Sequence, residues 1–174
     1  MVFQLLDAEG KLRYKEQLRQ LLEENDSAFV PPLSARCNTT QTDFQSAMPS
    51  NSGVDAYFGQ MMKQAILAVL EEDELLGFVS FVENFNSDAI EQISLPNIYI
   101  STVLVQSFAR GKGVTKKAYD YLFNNLFPKR SIYTRTWSTN TAHIKILSAF
   151  DFAEIKRIFN DRGEGIDTVY FARK

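Results

Sequence analysis

Residues 97–122, NIYISTVLVQSFARGKGVTKKAYDYL, constrain the fold more than any other part of this 174-residue chain. Residues 97–106 are rich in β-branched and aromatic side chains, which predicts a central strand. From Val114 the apolar side chains recur at helical spacing, which predicts a helix with one face in the core. Gly111 and Gly113 stand between the two elements, so the chain is predicted to turn from strand to helix within a few residues.

Four cationic side chains, Arg110, Lys112, Lys116 and Lys117, surround the predicted start of this helix. The first turn of a helix has backbone N–H groups without intrahelical partners, and its dipole favours a negative group. Cations at this position are repelled by the positive end of the helix dipole, unless an anion lies between the cations and the helix. The pattern therefore predicts a site for a phosphate-type anion. The alternative is a glycine-tolerant helix start with solvated lysines. Neither the Walker spacing nor the dinucleotide-binding G-x-G-x-x-G spacing is present.

The remaining patterns predict helices over residues 11–25 and 54–64, with a loop over 39–53. Two apolar runs in residues 65–85 are joined by the acidic turn EEDE, which predicts an antiparallel hairpin. A strand at 131–139, a helix that Asn140 caps and a closing hairpin around the DRGEG turn complete the chain. This order predicts a mixed α/β (α+β) domain with a largely antiparallel sheet and one βαβ crossover.

The composition limits the function classes. The formal net charge of −2 argues against a nucleic-acid partner, because phosphate neutralisation needs a basic face. Cys37 and His143 are the only cysteine and histidine, too few for a structural zinc site, so no metal is expected. Neither a signal-peptide pattern nor a run of ~20 apolar residues is present, so we expect a cytoplasmic protein with no membrane partner. The length favours one domain over residues 1–174.

The order strand, RGKGV, helix, strand, N-x-x-H, helix, F-x-F resembles the GNAT superfamily of acetyl-CoA-dependent N-acetyltransferases. VLVQSFARGKGV is similar to that superfamily's pyrophosphate-binding motif, Q/R-x-x-G-x-G/A, and STNTAHIKILSAFDF to its second motif. The resemblance covers residues 65–174, the core sheet with the coenzyme site. Residues 1–64 fit more loosely and would form a helical region on the acceptor side. The resemblance implies a mostly antiparallel twisted sheet with splayed central strands flanked by helices, and a possible homodimer.

The resemblance also implies acetyl-CoA as the co-substrate and assigns the residues that hold it. Val103, Leu104 and Val105 would lie on the strand whose main chain pairs with the pantetheine amides, and Asn140 would hydrogen-bond the same arm. The residues around the pyrophosphate would be Arg110, Gly111, Lys112, Gly113, Val114 and Thr115. Leu147 stands where the superfamily often has a tyrosine that protonates the departing thiolate, so the acid must come from elsewhere.

Three residues are candidates for proton transfer. His143 has a reference pKa near 6.5, which suits this role, although a packed or capping histidine is the alternative. Tyr99 on the central strand could be an acid or a relay, or a core aromatic. Glu83 on the neighbouring strand could be a base or bind a cationic amine, or be a strand-end charge.

Three further residues are candidates for the acceptor pocket. Arg135 and Trp137 share one face of the strand at 131–139, and Asp167 follows the glycine turn. Trp137 could equally be a core residue, and Asp167 a turn charge.

Together these expectations favour an enzyme that moves an acetyl group from acetyl-CoA to a primary amine of a small molecule or peptide, by direct attack in a ternary complex. Two alternatives stay open at this point. One is a non-catalytic acetyl-CoA sensor or interaction module, because the usual tyrosine is missing. The other is a structural domain that binds no coenzyme.

Overall fold

The computed structural model describes residues 1–45, 47, 51–91 and 93–174, and these residues form one seven-stranded sheet. The strands lie in the order β1-β2-β3-β4-β5-β7-β6, and every neighbouring pair is antiparallel except β4 and β5. Their bounds are Val2–Leu5, Ala65–Glu71, Glu74–Glu83, Asn97–Val105, Ser131–Trp137, Ala153–Ile158 and Thr168–Arg173. The predicted mixed, mostly antiparallel sheet with one parallel crossover is confirmed. Strand β1, at the edge, was not predicted.

Five α-helices cover the sheet within the described residues. They are α1 Ala8–Arg13, α2 Lys15–Glu24, α3 Asp55–Met61, α4 Val114–Tyr121 and α5 Thr141–Ala149. The helix predicted over residues 11–25 is divided in two at Tyr14, which caps both pieces and is itself buried. The loop predicted over 39–53 includes residues 46 and 48–50, which lie outside the described residues. No helix of the described chain has both the length and the apolarity that crossing a bilayer requires.

Each face of the sheet carries its own apolar core. On one face, α4 and α5 pack their buried side chains, such as Val114, Ala118 and Leu147, against the strands. On the other face, α2 and α3 do the same with Leu18, Tyr57 and other residues. The alternation of side chains along each strand supplies both cores at once, since successive residues point to opposite faces. The sheet centre is therefore buried from both sides, and the ends of its strands are left for a site.

Strands β4 and β5 separate halfway along their length. They pair from Asn97↔Ser131 to Ile100↔Thr134, and the pairing stops there although both strands continue. On its other side, β4 has a bulge against β3 at the same level, because the register shifts after Ser80. An extra residue in one strand bends it and increases its twist. The bulge therefore explains why β4 turns away from β5 and opens a cleft in the sheet.

Candidate active site

The cleft between β4 and β5 encloses a cavity of about 380 Å³. The strand residues in its wall run from Ile100 to Val105 on β4 and from Thr134 to Trp137 on β5. Helix α5 closes one side with Asn140 and His143, and Phe29 from the N-terminal region closes another. This volume lies within the range of small-molecule sites.

The exposed edge of β4 offers main-chain hydrogen-bonding groups to this cavity. Val103, Leu104 and Val105 all lie in the cavity wall, as the resemblance implied. Beyond Ile100 no residue of β5 is paired with β4, so the N–H and C=O groups on that edge have no strand partner there. An extended chain that carries amides can pair with such an edge like an added strand.

The turn from β4 into α4 has the left-handed backbone that its glycines predict. Gly111 has φ of 76° and Gly113, the N-cap of α4, has φ of 75°. A Cβ at either position would meet no heavy atom within 4 Å, so it is the dihedral and not crowding that demands glycine in this structure. Among the described residues, no acceptor takes the N–H groups of Gly111, Gly113, Val114 and Thr115. Four donors of this turn are thus without an acceptor in the described part of the protein.

The cations beside this turn do not all face it. Arg110 lines the cavity, and its guanidinium donates to the side chain of Asn25 and to the carbonyl of Val105. The side chains of Lys112, Lys116 and Lys117 are exposed at the start of α4. Arg110 therefore links the turn to the end of α2, and the three lysines supply the mobile positive charge.

Asn140 caps α5, as predicted, and holds it against β5. Its Oδ1 accepts from the backbone N–H of His143 at 3.3 Å, and its Nδ2 donates to Thr136 Oγ1 at 3.0 Å. An amide group has a second N–H and a second lone pair. Asn140 also lies in the cavity wall, so these remaining groups are the ones that could reach a ligand.

His143 is tied to Tyr119 of the preceding helix, a residue that the sequence interpretation did not single out. Nε2 of His143 lies 2.8 Å from the Tyr119 hydroxyl. Burial raises the pKa of Tyr119 far above its usual range, so this hydroxyl keeps its proton and donates it. Burial also lowers the pKa of His143 to about 4, so the imidazole is neutral at pH 7 with its own proton on Nδ1.

Tyr99 and Glu83 do not line the cavity. Tyr99 is buried in a cluster with Tyr133 and Tyr170, where its ring stacks on Phe85 with the centroids 4.1 Å apart, and burial raises its pKa to about 12. Glu83 pairs with Arg130 at the end of β3 that adjoins the start of β4. The glycine turn follows the opposite end of β4, roughly 20 Å away at the usual rise per residue.

Asp167 also lies apart from the cavity wall. It accepts from the backbone N–H of Asn160 at 3.0 Å and pairs with Arg157 at 2.9 Å. These two contacts, the first above all, lower the pKa of its carboxyl group. The carboxylate therefore organises the turn between β6 and β7 and is a poor proton acceptor.

Arg135 and Trp137 do line the cavity. The Trp137 ring packs against Phe29, with ring centroids 5.5 Å apart, and one guanidinium nitrogen of Arg135 donates to the Tyr170 hydroxyl at 3.1 Å. Of the six residues predicted for catalysis or the acceptor pocket, the cleft thus brings together His143, Arg135 and Trp137.

Four residues beside the cavity were missed from the sequence: Arg36, Phe44, Tyr57 and Arg162. The Tyr57 hydroxyl lies 2.7 Å from Oγ1 of Thr102, a cavity-wall residue. The guanidinium groups of Arg36 and Arg162 lie over the Phe44 ring. No short pattern marks these residues, because they come from three separate segments that meet only in the fold. Within the described chain, no group of three or more His, Cys, Asp or Glu side chains could hold a metal ion.

Comparison with known proteins connects this geometry to a family. A model of the acetyltransferase (GNAT) family matches residues 18–152. A search of curated proteins found no match.

Solved structures share the whole fold. Aminoglycoside 6'-acetyltransferase type Ii superposes with a TM-score of 0.68 at 16% identity, over 100% of this chain and 97% of its own. An aminoglycoside 6'-N-acetyltransferase complexed with coenzyme A gives 0.67 at 15% identity, over 99% and 96%. The ribosomal-protein-alanine N-acetyltransferase from Brucella melitensis gives 0.62 at 15% identity, over 99% of both chains. At these identities the likeness concerns the fold.

The family resemblance and the acyltransferase class predicted from the sequence are confirmed by the family match. The matched range includes β4, the glycine turn, α4 and all of α5. Since it spans most of the chain, and the sheet has the architecture of these acetyltransferases, this chain belongs to the acetyltransferase (GNAT) family.

Proposed function

We propose that this protein transfers the acetyl group of acetyl-CoA to a primary amine, by direct attack of the amine within a ternary complex. The new C–N bond forms as the thioester C–S bond breaks, the thiolate leaves, and the amine loses a proton. The pantetheine arm would lie along Val103, Leu104 and Val105, and the pyrophosphate at residues 110–115.

One observation carries the proposal: the unpartnered edge of β4 leads directly to the four unpartnered N–H groups of the glycine turn. The edge suits an amide-containing arm, and the turn suits a diphosphate, because N–H groups at a helix start attract negative charge. Coenzyme A carries both groups on one chain. The coenzyme A bound in a structural neighbour is consistent with this assignment.

Proton transfer in this proposal does not depend on His143 as a base. Its Nε2 lone pair is occupied by the Tyr119 hydroxyl, and its pKa near 4 makes it a weak proton acceptor at neutral pH. Nδ1–H remains a donor that can stabilise negative charge in the cavity. The amine therefore has to lose its proton to water or to a group that the acceptor itself brings. Tyr99, Glu83 and Asp167 act at a distance from the chemistry, if at all.

The acceptors named for the structural neighbours, an aminoglycoside and a ribosomal-protein alanine, suggest two classes of amine to test here. Purified protein with acetyl-CoA is expected to release thiol in proportion to the added amine, across a panel of small amines and N-terminal peptides. Coenzyme A alone is expected to stabilise the protein, by about 2.7 kcal/mol at a hundredfold excess over its dissociation constant. An absence of both effects would remove the proposal.

A non-catalytic acetyl-CoA sensor is the second candidate, and Leu147 favours it. This residue stands where the family often has its acid, and its aliphatic side chain has no proton to donate. Stabilisation by coenzyme A without thiol release from any amine would identify the sensor.

A further inference from the structure

Three arginines from separate parts of the chain surround the ring of Phe44. The guanidinium carbons of Arg36, Arg135 and Arg162 lie 5.2, 4.9 and 4.2 Å from the ring centroid. These three side chains are called the arginine cluster below. Each contact is a cation–π interaction, but three cations around one ring also repel one another.

Two side chains of the arginine cluster are buried, Arg135 is half-buried, and none of the three has an ion-pair partner among the described residues. Arg36 and Arg162 are each 7% exposed. The ion pairs of the described residues all involve other groups. Of the neighbouring carboxylates, Asp26 accepts from Ser34, and Asp161 accepts from Thr168, which in turn accepts from Arg162. Buried charges are normally paired. Asp26 and Asp161 are near enough to favour the charged forms of Arg36 and Arg162, but neither forms an ion pair with the cluster, so its three positive charges are not neutralised one for one.

Burial lowers the pKa of Arg36 to about 10 and that of Arg162 to about 9, and in both cases the neighbouring guanidinium charges contribute. Both groups therefore remain charged at pH 7. The mutual repulsion is a feature of the protein at neutral pH.

Each arginine of the cluster keeps at least one nitrogen without a protein acceptor among the described residues. Arg36 donates to the carbonyls of Val30 and Pro31 through Nε and Nη2, which leaves Nη1. Arg162 uses Nε and Nη1, which leaves Nη2. Arg135 uses Nη1 alone. Among the described, non-exposed residues, every side-chain nitrogen or oxygen without a hydrogen-bond partner has some access to solvent. The free guanidinium nitrogens therefore face accessible space.

The cluster adjoins the cavity through Arg135 and through two aromatic side chains of its wall. Arg135 is itself part of the cavity wall. Arg36 and Arg162 lie over the rings of Phe29 and Trp137, which are in the same wall. The N-terminal segment that carries Phe29, Arg36 and Phe44 thus brings positive charge to the part of the cavity left for the acceptor.

We infer that the acceptor is a small primary amine that also carries an oxyanion, a carboxylate or a phosphate, which the arginine cluster binds. This inference rests on the proposed acetyl transfer and names its substrate class. The free nitrogens of guanidinium groups match the oxygens of either anion. An amine with added positive charge meets repulsion from the same cluster.

Matched pairs of amines test the inference on the unchanged protein. Thiol release from acetyl-CoA is measured with phosphoethanolamine against ethanolamine, and with glycine against glycinamide, in a chloride buffer without phosphate. We expect a kcat/KM about 10- to 100-fold higher for the anionic member of at least one pair, the range that charged hydrogen bonds give. The first pair reports a phosphate site and the second a carboxylate site. Spermidine is expected to be the poorest acceptor.

The variant Arg135→Gln connects the preference to the cluster. It removes one charge and keeps a donor for Tyr170, and we expect KM for the preferred anionic amine to rise about 10-fold more than KM for its neutral partner. Arg135→Lys should retain part of the preference. The control is Arg13→Gln on α1. This variant loses the same charge from an exposed ion pair with Asp73 and should leave the preference intact.

The outcomes separate this inference from the proposed function. Thiol release at equal efficiency for both members of each pair, or best with spermidine, would overturn the inference and leave acetyl transfer standing. If no amine is acetylated, the thermal stability of the protein, measured with coenzyme A and each amine present, still tests the anion site. The anion site is supported if the anionic amine raises the melting temperature of the wild-type protein, while its neutral partner does not and Arg135→Gln shows no such rise. If the two amines give the same result, the anion site is rejected.

Discussion

The proposed coenzyme and acceptor ends of the cavity would recognise negative charge by different means. At the coenzyme end, residues 110–115 present main-chain N–H groups in a turn, and the Arg110 side chain bonds to Asn25. At the acceptor end, the arginine cluster presents side chains from three segments around Phe44. The comparison shows that a ligand common to a family can be held by backbone, which needs only the right dihedrals. A particular acceptor is selected by side chains.

Removing Phe44 should break the acceptor end and spare the coenzyme end. Phe44→Ala leaves a cavity where three guanidinium groups now face one another, so we expect unfolding free energy to fall by about 3–4 kcal/mol. Chemical denaturation measures the loss. Phe159→Ala is the control, since that ring is 73% exposed and its removal should have almost no effect.

The same variant tests whether the two ends are independent. Folded Phe44→Ala protein should still be stabilised by coenzyme A, and its KM for the acceptor should rise. Loss of the coenzyme effect in folded protein would show that the ends are coupled and that the comparison is too simple.

A substitution in the glycine turn should have the converse effect. Gly111→Glu forces a side chain into a left-handed position and places a carboxylate where phosphates would bind, so the affinity for coenzyme A should fall about 100-fold or more. Thermal shift against coenzyme concentration measures this.

Gly53→Glu is the matched control for the turn. Gly53 has φ of 60° and open space at its Cβ position, and it precedes α3 instead of α4. Both variants should lose similar stability without ligand. If coenzyme A stabilised Gly111→Glu and Gly53→Glu equally, the diphosphate would bind elsewhere.

His143 should affect stability in acid more than it affects turnover. The unfolded histidine binds a proton below pH 6.5 and the folded one only below about 4, so wild-type stability falls as pH is lowered through this window. His143→Gln keeps an acceptor for Tyr119 and should remove this slope, on the order of 2 kcal/mol between pH 6.5 and 4. If the pH profile of kcat/KM has an inflection in the wild type that is lost in the variant, the histidine transfers protons instead.

The smallest effect is expected where α5 ends. Asp151 has φ of 60°, and the N–H groups of Asp151 and Phe152 donate to the carbonyls of Ser148 and Leu147. This is the Schellman arrangement, in which glycine is preferred. Asp151→Gly should therefore stabilise the protein by about 0.5–1 kcal/mol, whereas Asp151→Ala should not. No gain for glycine would mean that the aspartate side chain offsets its own strain.

Much of the fold was predictable, because its signals are local. Apolar spacing marked α4, β-branched content marked β4, and Asn140 marked the start of α5. The edge strand β1 was missed, since Val2–Leu5 is short and mostly exposed and acquires its structure by pairing with β2. The break at Tyr14 was missed because the apolar pattern continues across it.

The sequence by itself determined the coenzyme end, since a left-handed turn between a strand and a helix requires glycines at fixed places in one short segment. Only the tertiary structure decided the acceptor end. Arg36 lies far along the chain from Arg135 and Arg162, and nothing local indicates that the three meet. Burial among the same aromatic side chains, and not sequence spacing, brings their charges together.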